Sequence, residues 1–209
     1  GILTPVRRGV YLFSPLDAGP AGAGIDELLI PGLYFPDGNY YVGYASMFSY
    51  YGFTEQIFQT VHVLNTSFQR DREICGILFR FLKIPAARLY GIVTIKAGGS
   101  SAQVSSLERT LVDLVYFHKP VGGVDRAMEI LKREVTGNKC DVARLIRLSA
   151  RFPNATVRKR IGICLERAGI PEKSLAVLIK SVARTSISSF GNSRKGRIDK
   201  KWKVIVSDP

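Results

Sequence analysis

Three polar residues interrupt an apolar segment of the chain and could perform acid and base chemistry: Glu108, Arg109 and Asp113. Two carboxylates beside an arginine can exchange protons with a substrate or assist a metal ion. The spacing also has a structural interpretation, because residues 105–108 match a helix capping box, and Arg109 and Asp113 stand four residues apart, as in a helical ion pair. We favour the structural interpretation and keep enzymatic chemistry at Glu108 and Asp113 as the alternative.

Other catalytic and cofactor-binding patterns are missing from the sequence. It has no G-x-x-x-x-G-K-[ST] phosphate loop, no H-E-x-x-H zinc motif and no G-x-S-x-G nucleophile turn. The two histidines, His62 and His118, are too few for a multi-histidine metal site. The three cysteines are widely spaced, so we interpret them as small buried residues of a protein in a reducing cytoplasm, and not as disulfide partners or zinc ligands. The sequence therefore predicts no catalytic residue, no metal and no cofactor.

The basic charge of the chain is concentrated in its second half. The net charge is +13; residues 1–120 carry 10 Lys and Arg against 9 Asp and Glu, whereas residues 121–209 carry 20 against 8. Two groups of cations fall on predicted helices, namely Arg144, Arg147 and Arg151, and Arg158, Lys159 and Arg160. Either group is a solvated helix face or a surface that binds an anionic partner. We predict an anionic partner because few acids lie nearby.

The first residues are typical of a β-ribbon arm that precedes a linker. Residues 6–13 place Arg7 and Arg8 before a glycine and a run of β-forming residues, and residues 14–24 are rich in glycine, proline and alanine. The arm has no predicted partner strand ahead of it, and the chain lacks an initiator methionine and a signal peptide. We therefore expect that further residues precede Gly1.

The remaining pattern predicts an α+β fold, in which a mixed, mainly antiparallel sheet is followed by a basic helical lobe. A short helix is expected at 26–30, stopped by Pro31, and the aromatic residues between 34 and 53 are expected in the core rather than on a base-stacking surface. Helix 106–117 should bury Leu107, Leu111 and Leu114 on one side. Strands are expected at 40–42, 58–65, within 74–84, at 90–96 and at the Trp202 tail; further helices are expected at 45–51, 123–134, 141–152, 155–168 and 172–183. No segment is long and apolar enough to cross a membrane.

Several segments together resemble the AbiEi family of antitoxins and predicted transcriptional regulators. They are residues 6–11 (VRRGVY), 40–46 (YYVGYAS), 51–54 (YGFT), 106–114 (SLERTLVDL) and 158–169, with the Trp202 strand at the end. The resemblance implies an antitoxin domain at 25–209, with a sheet-rich part at 25–120 and a basic helical part at 121–209. It also implies a linker at 15–24 and, at 1–14, the remnant of the wing of a winged helix-turn-helix.

The resemblance implies a non-enzymatic antitoxin that represses its own operon and counteracts a nucleotidyltransferase-like toxin in the cytoplasm. Arg7 and Arg8 would contact the DNA backbone of the operator, and the basic helices would neutralise the toxin or add DNA contacts. The alternatives are an enzyme acting on nucleic acid or nucleotides through Glu108 and Asp113, and an interaction module with no affinity for DNA. The oligomeric state stays open.

Overall fold

The computed structural model describes residues 2–14, 26–97, 100–191 and 196–206, and the chain divides into two compact units, residues 1–106 and 107–209. Strands predominate in the first unit and helices in the second. The predicted α+β class is confirmed. The division falls at the start of the helix that carries Glu108, somewhat before the predicted change to the helical part at residue 121.

The first unit is built around a six-stranded mixed sheet with the order β5-β6-β4-β3-β8-β7. Pairs β4–β6 and β3–β8 are parallel, and the other neighbouring pairs are antiparallel. A separate hairpin, β1–β2, precedes the sheet. The elements are β1 (Ile2–Arg7), β2 (Val10–Ser14), α1 (Ile30–Tyr34), β3 (Tyr40–Val42), α2 (Ala45–Tyr50), β4 (Thr60–Asn65), β5 (Arg70–Ile74), β6 (Ile77–Lys83), β7 (Ile92–Ala97) and β8 (Ser100–Ser105).

One local prediction for this unit is wrong, namely the bounds of helix α1, and two strands were not predicted. The strand expected within 74–84 is present as β6, which forms a hairpin with β5 across a turn at Cys75 and Gly76; both turn residues have positive φ, as tight hairpin turns require. Both β5, which is charged, and β8, which is rich in serine, escaped prediction because neither has a β-branched, apolar composition. Helix α1 begins where 26–30 was expected to end, since Pro31 suits the first helical turn.

One core cluster of the first unit lies against one face of the sheet. It contains Val61 and Val63 of β4 and Phe79 and Phe81 of β6, because every second residue of a strand points to the same face. His62 and Leu64, which alternate with the two valines, are buried as well. Phe35 stacks on Tyr40 with ring centroids 5.4 Å apart. Most of the aromatic residues between 34 and 53 are buried as predicted, whereas Tyr50 is 53% exposed.

The second unit is a group of five helices with a small sheet. Its elements are α3 (Leu107–Tyr116), α4 (Val124–Thr136), α5 (Val142–Arg151), α6 (Ala155–Arg167), α7 (Glu172–Val182), β9 (Ser188–Ser189), β10 (Arg197–Asp199) and β11 (Val204–Val206). The bounds agree with the predicted helices to within two residues. Strand β11 lies between β10 and β9, and Trp202 stands in the turn before it.

Helix α3 is the centre of this unit and packs against α4, α5 and α6. Leu111 and Leu114 are buried as predicted, but Leu107 is half-buried. The expectation of one buried side is wrong, because Glu108, Arg109 and Asp113 are buried as well. A helix surrounded by other helices has no solvent face, so its polar residues must find partners inside the protein.

Candidate anion-binding surfaces

Arg7 and Arg8 lie at the exposed end of the β1–β2 hairpin. Arg7 pairs with Val10, and the two-residue turn between them contains Arg8 and Gly9, whose φ of 76° favours glycine. The sequence predicted that this arm had no partner strand ahead of it. The structure instead contains both strands of the arm, β1 and β2, which pair with each other. The predicted linker, residues 15–24, lies outside the described residues.

The hairpin is attached to the first unit through Val6. This side chain is 4% exposed and belongs to the core, while the Tyr34 hydroxyl donates a hydrogen bond to the Val6 carbonyl oxygen at 2.5 Å. Alternation along a strand turns the neighbouring residues outward. One buried anchor thus holds the strand while Arg7 and Arg8 extend into solvent.

The predicted stripe on α5 is not uniform. Arg147 and Arg151 are exposed, whereas Arg144 is drawn to Glu108, with Nε 3.4 Å from Oε2. The other Glu108 oxygen accepts a hydrogen bond from the Asp141 backbone N–H at 3.3 Å. Glu108 therefore holds the start of α5, and Arg144 is engaged within the protein rather than offered wholly to a partner.

The predicted surface at residues 158–160 is wrong for Lys159, which is 1% exposed. Its ammonium donates to the carbonyl oxygens of Ser186 and Lys203, the latter at 3.2 Å, and to the Ser188 hydroxyl at 3.4 Å. Burial lowers the pKa of Lys159, and nearby Lys203 and Arg158 lower it further. Lys159 therefore fastens the C-terminal strands to α6.

Arg160 also has a structural partner, because its Nε donates to the Phe190 carbonyl oxygen at 2.6 Å. Arg158 is half-buried and makes contacts within the chain. One residue in the sequence does indicate close packing at this helix: Gly162 lies inside α6, where glycine is unfavourable unless another group approaches closely. The triplet at 158–160 therefore belongs mainly to the internal structure of the second unit.

Acidic residues of the second unit are largely engaged by partners inside the unit. Glu108, Asp113, Glu129, Glu134, Glu166 and Glu172 each form an ion pair. Asp141 and Asp199 accept hydrogen bonds from backbone N–H groups. Among the described residues, several exposed cations consequently have no carboxylate within 4.0 Å: Lys119, Lys132, Lys139, Arg147, Lys173, Lys180, Arg184, Arg197 and Lys200.

Of the two candidate acid and base residues, Glu108 and Asp113, the second forms a buried ion pair with Arg109. Arg109 donates to Asp113 through two nitrogens at 3.2 and 3.1 Å, and both side chains are 0% exposed. The Phe152 ring lies 5.5 Å from the Arg109 guanidinium carbon, close enough for a cation–π contact. A substrate could reach Asp113 only if this packing opened.

The histidines and cysteines lie at separate places in the fold. His62 is 6% exposed, and burial, with Arg80 nearby, lowers its pKa to about 4. Burial raises the pKa of both Cys140 and Cys164 to about 11, so these thiols are protonated at neutral pH. Within the described ranges, no three His, Cys, Asp or Glu side chains are grouped to hold a metal ion. Nor does any helix there have the length and apolar character needed to span a bilayer.

Comparison with known proteins shows a shared fold. No family model and no curated protein matches this chain. The crystal structure of the Rv2827c protein from Mycobacterium tuberculosis matches with a TM-score of 0.60 and 14% sequence identity. The match covers 98% of this chain and 75% of that one. The likeness is one of fold. It supports the α+β architecture along nearly the whole chain.

Proposed function

We propose that this chain is a cytoplasmic, non-enzymatic antitoxin that binds the operator DNA of its own operon and counteracts a nucleotidyltransferase-like toxin. The observation that carries the DNA-binding part is the position of Arg7 and Arg8 at the exposed end of an anchored hairpin. A two-stranded wing with cations at its tip suits contact with phosphates beside a groove. The antitoxin part rests on the resemblance to the AbiEi family.

The charge of the second unit supports a polyanionic partner. Its acids are largely engaged within the unit, and in the described part of the chain Arg147, Lys132 and other exposed cations have no carboxylate within 4.0 Å, so they contribute a positive field. Such a field attracts nucleic acid and accelerates the encounter with it. Binding should weaken steeply with salt, because each phosphate contact releases counterions.

The test of DNA binding is fluorescence anisotropy of the chain with a duplex from the region upstream of its own gene and with a scrambled duplex. We expect the double variant Arg7→Ala, Arg8→Ala to weaken binding and to lower the slope of log affinity against log salt by about two. Arg126→Ala is the matched control, because Arg126 is exposed but already paired with Glu129 at 2.9 Å. Equal binding by the wild type, the double variant and the control contradicts a role for the wing.

The test of antitoxin activity is co-expression with the cognate nucleotidyltransferase-like toxin that this proposal predicts. We expect growth to be restored by the wild type and by the double wing variant, since toxin neutralisation does not require the operator. Continued growth arrest with a stably expressed wild-type chain overturns the antitoxin assignment. A divalent-metal-dependent activity of the wild-type chain on nucleic acid or nucleotides, lost in Asp113→Asn, would instead favour the enzymatic alternative.

A further inference from the structure

Helix α7 has one face in the core and one face in solvent. Leu175, Leu178 and Val182 are buried. On the opposite side lie Lys173, Val177 and Lys180, at spacings of four and seven residues from the first, and Arg184 follows in the turn after the helix; all four are exposed. At about 100° per residue the three helical positions fall within a sector of about 60°. We call these four residues the α7 stripe.

The α7 stripe is positively charged and is not neutralised from within the protein. Glu172, the acid at the start of α7, is directed to Lys201, with Oε2 2.7 Å from Nζ. In the described part of the chain, no carboxylate lies within 4.0 Å of Lys173, Lys180 or Arg184. Lys180 near the end of the helix and Arg184 in the turn after it carry like charges, which repel each other. A partner that supplies carboxylates would relieve this repulsion.

The stripe also contains an apolar side chain between its cations. Val177 is 59% exposed, and Ile187, shortly after the helix, is 52% exposed. A phosphate backbone is recognised through cations and polar groups and has little to offer an exposed valine. Protein interfaces, by contrast, bury apolar side chains at their centre and place charges around them. The combination of Val177 with three flanking cations therefore favours a protein partner.

We propose that the α7 stripe binds an acidic protein surface in which carboxylates flank an apolar side chain. The apolar side chain packs on Val177, and the carboxylates pair with Lys173, Lys180 and Arg184. This proposal does not depend on DNA binding by Arg7 and Arg8. Assigning this acidic surface to the toxin is a further step, and that step rests on the proposed function.

The test uses the full chain and two labelled synthetic helical peptides. The first carries glutamates around a central leucine, and in the second that leucine is serine. We expect the chain to bind the first peptide, and the triple variant Lys173→Glu, Lys180→Glu, Arg184→Glu to bind it at least about 30-fold more weakly, because attraction becomes repulsion. The control is the double variant Lys132→Glu, Lys139→Glu, which reverses the charge of two exposed lysines outside the α7 stripe. It should weaken peptide binding only about two-fold.

The apolar contact is tested separately with Val177→Ser. We expect this variant to bind the leucine peptide about five-fold more weakly than the wild type and to bind the serine peptide unchanged, because only the leucine peptide has a group for Val177 to bury. All these positions are exposed, so the variants should keep the circular dichroism spectrum of the wild type.

Three results overturn this proposal. The first is the absence of binding to either peptide at concentrations up to about 1 mM, the range of weak contacts. The second is equal binding of both peptides by the wild type and Val177→Ser. The third is displacement of the peptide by duplex DNA whose binding is lost in the triple variant, which assigns the stripe to nucleic acid. None of these results involves Arg7 or Arg8, so failure here is distinct from failure of the wing assignment.

Discussion

The indole ring of Trp202 occupies the space in which any residue other than glycine at position 162 would place its Cβ. Trp202 is 0% exposed, and its indole N–H donates to Glu166 Oε2 at 2.8 Å. Residues 40 positions apart in the chain are thus fitted to each other, and the C-terminal strands are held on α6 by this contact together with Lys159.

Gly162→Ala should destabilise the protein although alanine is the better helix former. The gain in helix propensity is about 1 kcal/mol, but overpacking against a buried ring costs up to about 3 kcal/mol, so we expect a net loss of up to roughly 2 kcal/mol. Trp202→Ala alone should cost about 3 to 5 kcal/mol. In the Trp202→Ala background, Gly162→Ala should be neutral or stabilising. Denaturant unfolding followed by circular dichroism gives the free energy of unfolding of the two single variants and the double variant. If the losses of the single variants simply add in the double variant, the two residues are not in contact.

Asp113→Asn should destabilise the second unit by about 3 to 5 kcal/mol, because it removes the carboxylate charge that the buried Arg109 guanidinium faces. The matched control is Glu129→Gln, which removes the acid of the exposed pair with Arg126 and should cost less than about 1 kcal/mol. Urea unfolding of both variants makes the comparison. Similar small losses in the two variants would mean that Asp113 is not a structural partner.

Wild-type stability should fall between pH 7 and pH 4.5 more than the stability of His62→Gln. The pKa of His62 is about 4 in the folded protein and 6.5 in a free side chain, so the unfolded chain binds the proton first as the pH falls. The stability present above pH 6.5 is therefore lost on acidification, by roughly 2 to 3 kcal/mol at pH 4.5. Parallel pH profiles for the two proteins would contradict a neutral, buried His62.

Lys159 should likewise make stability rise with pH, here in the alkaline range. Because its pKa is lowered from 10.5, the folded protein releases the Lys159 proton before the unfolded chain does. The wild type should therefore gain stability relative to Lys159→Met as the pH rises towards 10.5. Lys132→Met, at an exposed lysine, should show no such gain. Urea unfolding at several pH values gives the free energy of unfolding of each protein. If the difference between wild type and Lys159→Met does not change with pH, Lys159 is not a buried cation with a lowered pKa.

Much of the fold followed from local patterns in the chain. The five long helices of the second unit were predicted almost to the residue, because a 3.6-residue period and capping residues such as Asp141 and Asn154 act within one segment. The concentration of positive charge after residue 120 and the exposed arginine pair at positions 7 and 8 were also readable directly, since neither depends on a distant partner.

Only the tertiary structure decided which cations serve a surface and which serve the interior. Arg158, Lys159 and Arg160 form one basic triplet in the sequence, yet the ammonium of Lys159 is surrounded by carbonyl groups of residues 186 and 203. Likewise, Glu108 holds the start of α5, and β4 pairs in parallel with β6. These outcomes depend on contacts between segments far apart in the chain, which the local periods of a sequence do not encode.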